Sequence, residues 1–440
     1  MAESHLLRTP AVGASSIARR IASGAGAYGY AQVVSIGTQL VSLPLFLYHW
    51  DMATYGYWLA LTALPFYLSL ADAGISTASC NLMIGLIARG EKARAADVFQ
   101  SAVAFLLLVA LLVLATVALA LWWLPATTLQ APQWKAVLML LSVTVVLTLF
   151  CSLSEVIYKA TGGYAAGTYL VTTGRLVDTL GGLTGLVLTQ SFIGVATAML
   201  LARLGYTALC IRLSQRRTDF LRWGVRRANR HDIRQAAAPG ALFFSLTLTN
   251  ALSLQGFTLL VTATLGPAAT AVFNTYRTLS RIVVQIANAL SNPLWPELTA
   301  LKGHQGDGPF WALYRRANRL GLLIAAAGAL LVYLVAPWLL EVWTHGQIPF
   351  VAASMALFLL YAAVCSATQV PRVVLMSINR HAGLAWQSLL AAVASLVVAW
   401  LIWPATGMTG MVAAMVLGEA LVWLTATRAV RHLHSARAAA

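Results

Sequence analysis

The stretch YAAGTYLVTTGRLVDTLGGLTGLVL, residues 164–188, carries an arginine and an aspartate one helical turn apart in an otherwise largely apolar segment. The segment is longer than the roughly 20 residues that a helix needs to cross a bilayer. Charged side chains at mid-membrane depth are costly, and those that occur there normally face a bundle interior or a watery cavity. Arg175 and Asp178 therefore predict a polar path through a membrane-spanning bundle.

The composition of the whole chain is that of an integral membrane protein. Of its 440 residues, 60% are hydrophobic and 10% are charged, whereas a soluble domain has about 45–50% apolar and about 25% charged residues. Apolar windows long enough to span a membrane recur along nearly the whole chain, and the mean hydropathy is +0.77. The four cysteines lack metal or redox spacing, and the sequence contains no GxxxxGK[ST] motif for ATP, so no metal or other cofactor is predicted.

These windows predict an all-α membrane protein with about twelve transmembrane helices. The predicted spans cover residues 27–48, 55–75, 98–123, 136–158, 164–188, 191–212, 237–263, 268–290, 318–343, 350–371, 382–403 and 408–428. The loops on one side of the membrane are all short. A membrane glycosyltransferase, polymerase or ligase usually needs a large outer loop or a carboxylate-rich site, so the chain is not predicted to be an enzyme.

Lysine and arginine are concentrated in alternate loops. One set contains Arg89, Lys92 and the run from Arg212 to Arg234, whereas the opposite set holds Lys135 and little else. The positive-inside rule places the basic loops and both termini in the cytoplasm. Because the charges are spread beside membrane ends, anionic lipid headgroups are the predicted partners, and nucleic acid is not.

The chain is predicted to consist of two halves of six spans each. WDMATYGYWLALTAL (50–64) aligns without a gap on LGPAATAVFNTYRTL (265–279), as a duplicated unit would require. The stretch between the halves, with Phe220, Leu221 and Trp223 among arginines, is typical of an amphipathic helix on the inner membrane surface. The predicted units are a cytoplasmic N-terminal segment (1–26), an N-lobe (27–213), a basic amphipathic linker (214–236), a C-lobe (237–428) and a cytoplasmic tail (429–440).

The charges at mid-membrane depth carry the prediction about function. Four arginines, Arg175, Arg203, Arg277 and Arg281, face only two acids, Asp178 and Glu419. Guanidinium groups bind phosphate oxygens in a bidentate manner, so a cavity with this surplus suits an anionic cargo such as a pyrophosphate. We expect the four arginines to bind the substrate, and the two acids to tune the charge or couple transport to protons.

Structural interpretations remain open for several of these residues. Arg175 and Asp178 could neutralise each other as an i,i+3 pair, and Arg372 could extend its side chain to the headgroups. Asp72, in LADAGISTAS, is interpreted as a residue of a turn or gate. Pro44, Pro65 and Pro239 interrupt three predicted spans and are candidate hinges, although static kinks explain them equally well.

Three stretches resemble a known family. They are VSLPLFLYHWDMATYGYWLALTALPFYLSLADAGISTASCNLMIGLIARGEKARAADVFQSA (41–102), YKATGGYAAGTYL (158–170) and LGPAATAVFNTYRTLSRIVVQIANALSNPLWPEL (265–298). In these stretches a predicted span is followed by YG, L-x-D-x-G-I-S and a basic turn, and YRTLSR comes later in the chain. This order is similar to that of the Wzx-type polysaccharide flippases of the MOP exporter superfamily.

That resemblance implies a fold, a cargo and a location. It implies two pseudo-symmetric six-helix lobes around a central positive cavity that opens alternately to each side of the bacterial inner membrane. The implied cargo is an undecaprenyl-pyrophosphate-linked oligosaccharide for surface polysaccharide synthesis, moved by an ion gradient. A polysaccharide polymerase and a chain-length regulator are the implied partner proteins.

Two other functions remain open at this point. A multidrug exporter of the same superfamily is the first, although the arginine surplus suits a cationic drug poorly. A membrane polymerase or ligase of glycan assembly is the second, and the short outer loops weigh against it.

Overall fold

The computed structural model describes residues 14–125, 133–291, 307–378 and 382–438, together with Leu294 and Leu298. In these ranges the chain consists of helices and the short connections between them. The helices are α1 (Ala14–His49), α2 (Met52–Phe66), α3 (Ile75–Ala88), α4 (Lys92–Trp123), α5 (Trp134–Ala160), α6 (Tyr164–Thr189), α7 (Phe192–Gln215), α8 (Arg230–Ala251), α9 (Phe257–Leu265), α10 (Pro267–Ser291), α11 (Asp307–Trp343), α12 (Ala352–Ser377) and α13 (Ala382–Ala438).

The described helices form twelve membrane crossings, which confirms the predicted number. Nine segments are long and apolar enough to cross a membrane by length and composition. The more polar helices α6 and α10 pack among them, with α6 against α1, α5 and α7, and α10 against α2 and α12. The twelfth crossing arises because α13 is two helices joined at Gly407, whose φ of 57° breaks the helical path.

The crossings alternate between two ends of the bundle. Among the described residues, the short-loop end holds 50–51, 124–125, 133, 190–191, 266, 344–351 and 407, and the basic-loop end holds 89–91, 161–163, 216–229 and 378. An even number of crossings places both ends of the described chain at the basic-loop end.

The second crossing is broken near its middle. A 3-10 turn at Tyr67–Asp72 separates α2 from α3, and Ala73 and Gly74 follow with left-handed φ angles of 49° and 74°. The carboxylate of Asp72 accepts hydrogen bonds from the backbone N–H of Ser76 at 3.2 Å and from its hydroxyl at 2.7 Å. Asp72 thus holds the first turn of α3.

The predicted proline hinges fall at different kinds of position. Pro44 lies inside α1, which continues through it as one helix, and Pro65 lies in the last turn of α2, just before the 3-10 turn. The side chain of Pro239 lies outside the described part of the chain, and α8 runs without a break past this position. The seventh crossing is instead irregular at Leu252–Gly256, a turn of π-helix between α8 and α9. The hydropathy pattern contains no signal for that π turn.

The two halves of the chain meet closely at the short-loop end. A Cβ on Gly56 of α2 would lie 1.8 Å from the carbonyl oxygen of Pro267, so only glycine permits this approach of α2 to α10. The indole of Trp343 donates to the carbonyl oxygen of Leu40 at 2.7 Å. These contacts close the lobe interface at this end.

The segment between the lobes is not the predicted amphipathic helix. Residues 216–229 are non-helical, and the apolar side chains pack on protein rather than lipid. Leu221 is fully buried with Phe99 in one apolar cluster, and the ring of Trp223 stands edge-on to that of Phe99 at 5.5 Å. Because α4 and α5 offer this apolar surface, the aromatic pattern reports packing against the N-lobe.

Candidate functional site

A cavity of about 320 Å³ lies within the C-lobe. Its walls come from the seventh, eighth, tenth, eleventh and twelfth crossings, all of them in the second half of the chain. Arg277 and Arg281 of α10 and Glu419 of α13 line it, so the structure brings these three predicted site residues together. Arg372 of α12, for which the sequence also allows a position at the headgroups, lines the same cavity.

Arg277 is held in this cavity by neutral groups. Its guanidinium donates to the carbonyl oxygen of Leu254 at 2.5 Å, to the Thr258 hydroxyl at 2.9 Å and to the side-chain oxygen of Asn274. It also lies over the ring of Phe273, 5.1 Å from the centroid. These contacts engage three hydrogen bonds of the guanidinium, and none of them neutralises the positive charge.

The other charged side chains of the cavity have fewer described hydrogen-bond partners. Neither Arg281 nor Arg372 forms an ion pair or hydrogen bond with any residue that the structure describes. Glu419 interacts electrostatically with Arg372, yet no described arginine nitrogen lies within 4.0 Å of its carboxylate. Three guanidinium groups thus share the described lining with a single carboxylate, and the cavity keeps a surplus of positive charge.

A second, smaller pocket of about 200 Å³ lies between the lobes. The N-lobe contributes Gln39, Tyr55 and Thr179, among others, and the C-lobe contributes Asn274 and Thr278. None of its described lining residues is charged. Hydroxyl and amide groups dominate the lining, a chemistry that forms hydrogen bonds with neutral polar ligands.

Arg175 lies beside this interlobe pocket. It is exposed and forms no ion pair or hydrogen bond through its side chain with the described residues. The Thr179 hydroxyl donates to the Arg175 carbonyl oxygen at 3.0 Å, which places the two residues one helical turn apart on one face of α6. Since Thr179 lines the pocket, Arg175 lies one turn of α6 away from this lining, closer to the basic-loop end.

Arg203 and Asp178 occupy a different place and pair with each other. The Nε of Arg203 donates to a carboxylate oxygen of Asp178 at 2.7 Å, and its Nη2 contacts the second oxygen. The same nitrogen donates to the carbonyl oxygen of Gly174 at 3.0 Å. The Arg203 side chain is only 2% exposed. It therefore does not line either pocket, and Asp178 neutralises Arg203 of α7 instead of its own helix neighbour Arg175.

Small residues on α6 explain this pairing. A Cβ on Gly174 would lie 2.9 Å from a guanidinium nitrogen of Arg203, and one on Gly185 would lie 2.7 Å from the Gly194 carbonyl oxygen. Gly181 and Gly185, spaced as G-x-x-x-G, are the sequence signal for close α6–α7 packing, and that signal could have predicted the Arg203–Asp178 pair.

Similar proteins were found among the solved structures. No family model matches the sequence, and no curated protein sequence matches it. Among solved structures, an inward-facing multidrug resistance MATE family transporter of the MOP superfamily has a TM-score of 0.69 at 14% identity, covering 95% of this chain and 98% of that chain. A MOP superfamily transporter from Pyrococcus furiosus, described by the reverse polarity of its binding pocket that suggests a different function, has a TM-score of 0.61 at 14% identity and covers 92% and 96%.

The outward-facing conformation of a multidrug resistance MATE family transporter has a TM-score of 0.64 at 14% identity, with 94% of this chain and 96% of that chain covered. The chain therefore has the two-lobed, multi-pass fold of MOP superfamily proteins. This finding confirms the fold that the resemblance implies.

Proposed function

We propose that the chain is a transporter that moves an anionic glycolipid, a lipid-pyrophosphate-linked oligosaccharide, across the membrane. The observation that carries the proposal is the guanidinium of Arg175, which lies near the middle of α6 without a described partner, one helical turn from a pocket whose described lining holds no acid. A guanidinium binds a phosphate group in a bidentate manner, and hydroxyl and amide groups form hydrogen bonds with sugar hydroxyls. The two features together match a phosphate joined to a glycan.

In this proposal the cleft between the lobes is the transport path. Arg175 holds the pyrophosphate, and Thr179 and Asn274 bind the first sugars in the interlobe pocket. The prenyl tail stays in lipid at a lateral opening between the lobes. Separation of the lobes at the short-loop end, where Gly56 now touches Pro267, releases the headgroup on the other side.

The proposal extends to the lipid carrier, the membrane and the partner proteins that the resemblance implies. The cargo is undecaprenyl-linked, the membrane is the bacterial inner membrane, and the basic-loop end faces the cytoplasm, where anionic lipids meet the basic loops. A polysaccharide polymerase and a chain-length regulator are the proposed partner proteins. Glu419 is the remaining candidate for proton coupling, because Asp178 is already engaged by Arg203.

A multidrug exporter is the second candidate. Structures with this fold include transporters described as multidrug resistance proteins, and Glu419 gives the C-lobe cavity one acid. Against this candidate, the described lining of the interlobe pocket offers a cationic drug no carboxylate. The Pyrococcus furiosus structure is described as a case in which pocket polarity suggests a different function, and the same reasoning applies here.

A flipping assay in proteoliposomes tests the proposal. We expect the wild-type protein to translocate a fluorescent lipid-pyrophosphate oligosaccharide and Arg175→Gln to lose at least about tenfold in rate, since a charge-assisted hydrogen bond contributes about 1.5–3 kcal/mol. Arg89→Gln is the matched control, because Arg89 lies on the exposed surface in an ion pair with Glu91.

Equal rates for Arg175→Gln and wild type would contradict the assigned role of Arg175. Export of cationic drugs by vesicles that do not flip the glycolipid would favour the second candidate.

A further inference from the structure

We propose that the C-lobe cavity is a binding site for a small inorganic anion, separate from the pocket between the lobes. The charged residues of this site are Arg277, Arg281, Arg372 and Glu419 among the described lining. Anion binding at this site goes beyond the proposed transport function and does not depend on which cargo is moved.

The charge balance of the cavity requires a counter-charge. Arginine side chains remain protonated in proteins, so the three guanidinium groups contribute three positive charges. Even an ionised Glu419 compensates only one of them, and Arg277 and Arg281 repel each other across one turn of α10. Unpaired charges inside a membrane protein are unfavourable. A bound anion neutralises the surplus.

The available donors converge on one volume. Arg281 and Arg372 keep all their N–H groups free of described partners, while the amides of Asn250 and Asn288 supply neutral donors at the same lining. Guanidinium groups combined with amides suit a halide or a small oxyanion.

The location of the cavity argues against a large cargo. Its described walls come entirely from the crossings of the C-lobe, so a rocking of the two lobes does not open it as it opens the cleft. A small ion needs no such opening. The position of the site within one lobe thus favours an inorganic anion over a glycolipid.

Arg277 links this site to the transport pocket. Its guanidinium lines the C-lobe cavity, while Asn274, which accepts one of its hydrogen bonds, lines the interlobe pocket. An anion that draws Arg277 into the cavity frees the Asn274 side chain for the cargo. Anion and cargo then affect each other's affinity by the same factor.

Thermal unfolding of the purified full-length protein in detergent tests the site. We expect the unfolding temperature to rise in a saturable way when chloride or inorganic phosphate replaces gluconate, because a ligand that binds only the folded state stabilises it. Arg281→Gln and Arg372→Gln should each weaken the apparent anion affinity at least about tenfold. Arg281→Lys, which retains the positive charge, should keep most of the anion affinity. Arg89→Gln serves as the surface control.

Three outcomes would overturn the inference. The first is a wild-type protein whose unfolding temperature shows no saturable rise with the anion. The second is an Arg281→Gln protein whose unfolding temperature rises like that of the wild type. The third is displacement of chloride by a short-chain lipid pyrophosphate whose binding needs Arg281. The third would make the cavity a lipid-phosphate site. If Arg281→Gln does not fold, the anion affinities of Arg281→Lys and Arg372→Gln test the site instead. Arg175→Gln should lose glycolipid flipping but keep the anion response, which separates failure of this site from failure of the proposed function.

Discussion

Two arginines of neighbouring crossings have opposite surroundings. Arg203 is buried against Asp178 and the Gly174 carbonyl, whereas Arg175, on the same helix as Asp178, has no described partner. The first arginine contributes to the packing of α6 on α7. The second is available to a ligand.

We expect substitution of either partner in the Arg203–Asp178 pair to destabilise the protein. Removing one member of a buried ion pair leaves an uncompensated charge and costs about 3–5 kcal/mol. Thermal unfolding of Asp178→Asn and Arg203→Gln should show lower midpoints than wild type. The double variant Asp178→Leu/Arg203→Met should recover much of the loss, because no buried charge remains.

Arg175→Gln is the matched control on the same helix. It should unfold at the wild-type temperature, since it removes no contact with a described residue. A loss of stability as large as that of Asp178→Asn would mean that Arg175 is a packing residue.

The sequence predicts which charged side chains lie at mid-membrane depth, but not which of them form ion pairs. Hydropathy and residue type place Arg175, Arg203, Arg277 and Asp178 inside crossings. Pairing depends on which helix faces which, and the close approach of α7 to the glycine face of α6 determines it. A single sequence indicates which helices pack together only indirectly, here through the G-x-x-x-G spacing.

At the scale of the helices, the close contact of α2 with α10 depends on Gly56. We expect Gly56→Ala to open the short-loop end, because its Cβ would fall 1.8 Å from the Pro267 carbonyl oxygen, which backbone cannot accommodate without a shift. Electron-paramagnetic-resonance distances between spin labels at Trp122→Cys and Trp338→Cys, exposed positions on α4 and α11, should lengthen.

Gly37→Ala on α1 provides the comparison for that experiment. A Cβ at this position meets nothing within 4 Å, so the label distances should match those of wild type. Unchanged distances in Gly56→Ala as well would show that α2 and α10 can repack without separating the lobes.

The apolar windows predicted all the crossings but not their internal breaks. The 3-10 turn Tyr67–Asp72 and the π turn Leu252–Gly256 lie inside crossings that the apolar windows predict as continuous. Only LADAGIS, with an acid and a glycine at a helix start, contained a readable signal. The aromatic pattern of residues 216–229 was misleading for a related reason, because an apolar face does not state whether lipid or protein covers it.

At the scale of the molecule, the proposed transport requires the lobes to part at the closed short-loop end. The rings of Tyr48 and His345, from different lobes, lie 6.0 Å apart. We expect a short bifunctional thiosulfonate reagent to cross-link Tyr48→Cys to His345→Cys and to stop glycolipid flipping. Reduction of the cross-link should restore it.

The four native cysteines are buried and free, so the single variants Tyr48→Cys and His345→Cys should keep flipping after the same treatment. Undiminished flipping by the cross-linked double variant would rule out separation of the lobes at this point.

The first helix of the C-lobe is fastened to the N-lobe. Arg94 of α4 donates to the fully buried carboxylate of Asp232 at 3.1 Å, and the Ser101 hydroxyl accepts from the Asn229 backbone N–H at 2.8 Å. As α8 packs on both α3 and α13, this helix joins the two predicted halves of the chain. A chain cut between Gln215 and Asn229 would consequently yield two fragments that each lack part of their own scaffold, and the fragments should assemble only when produced together.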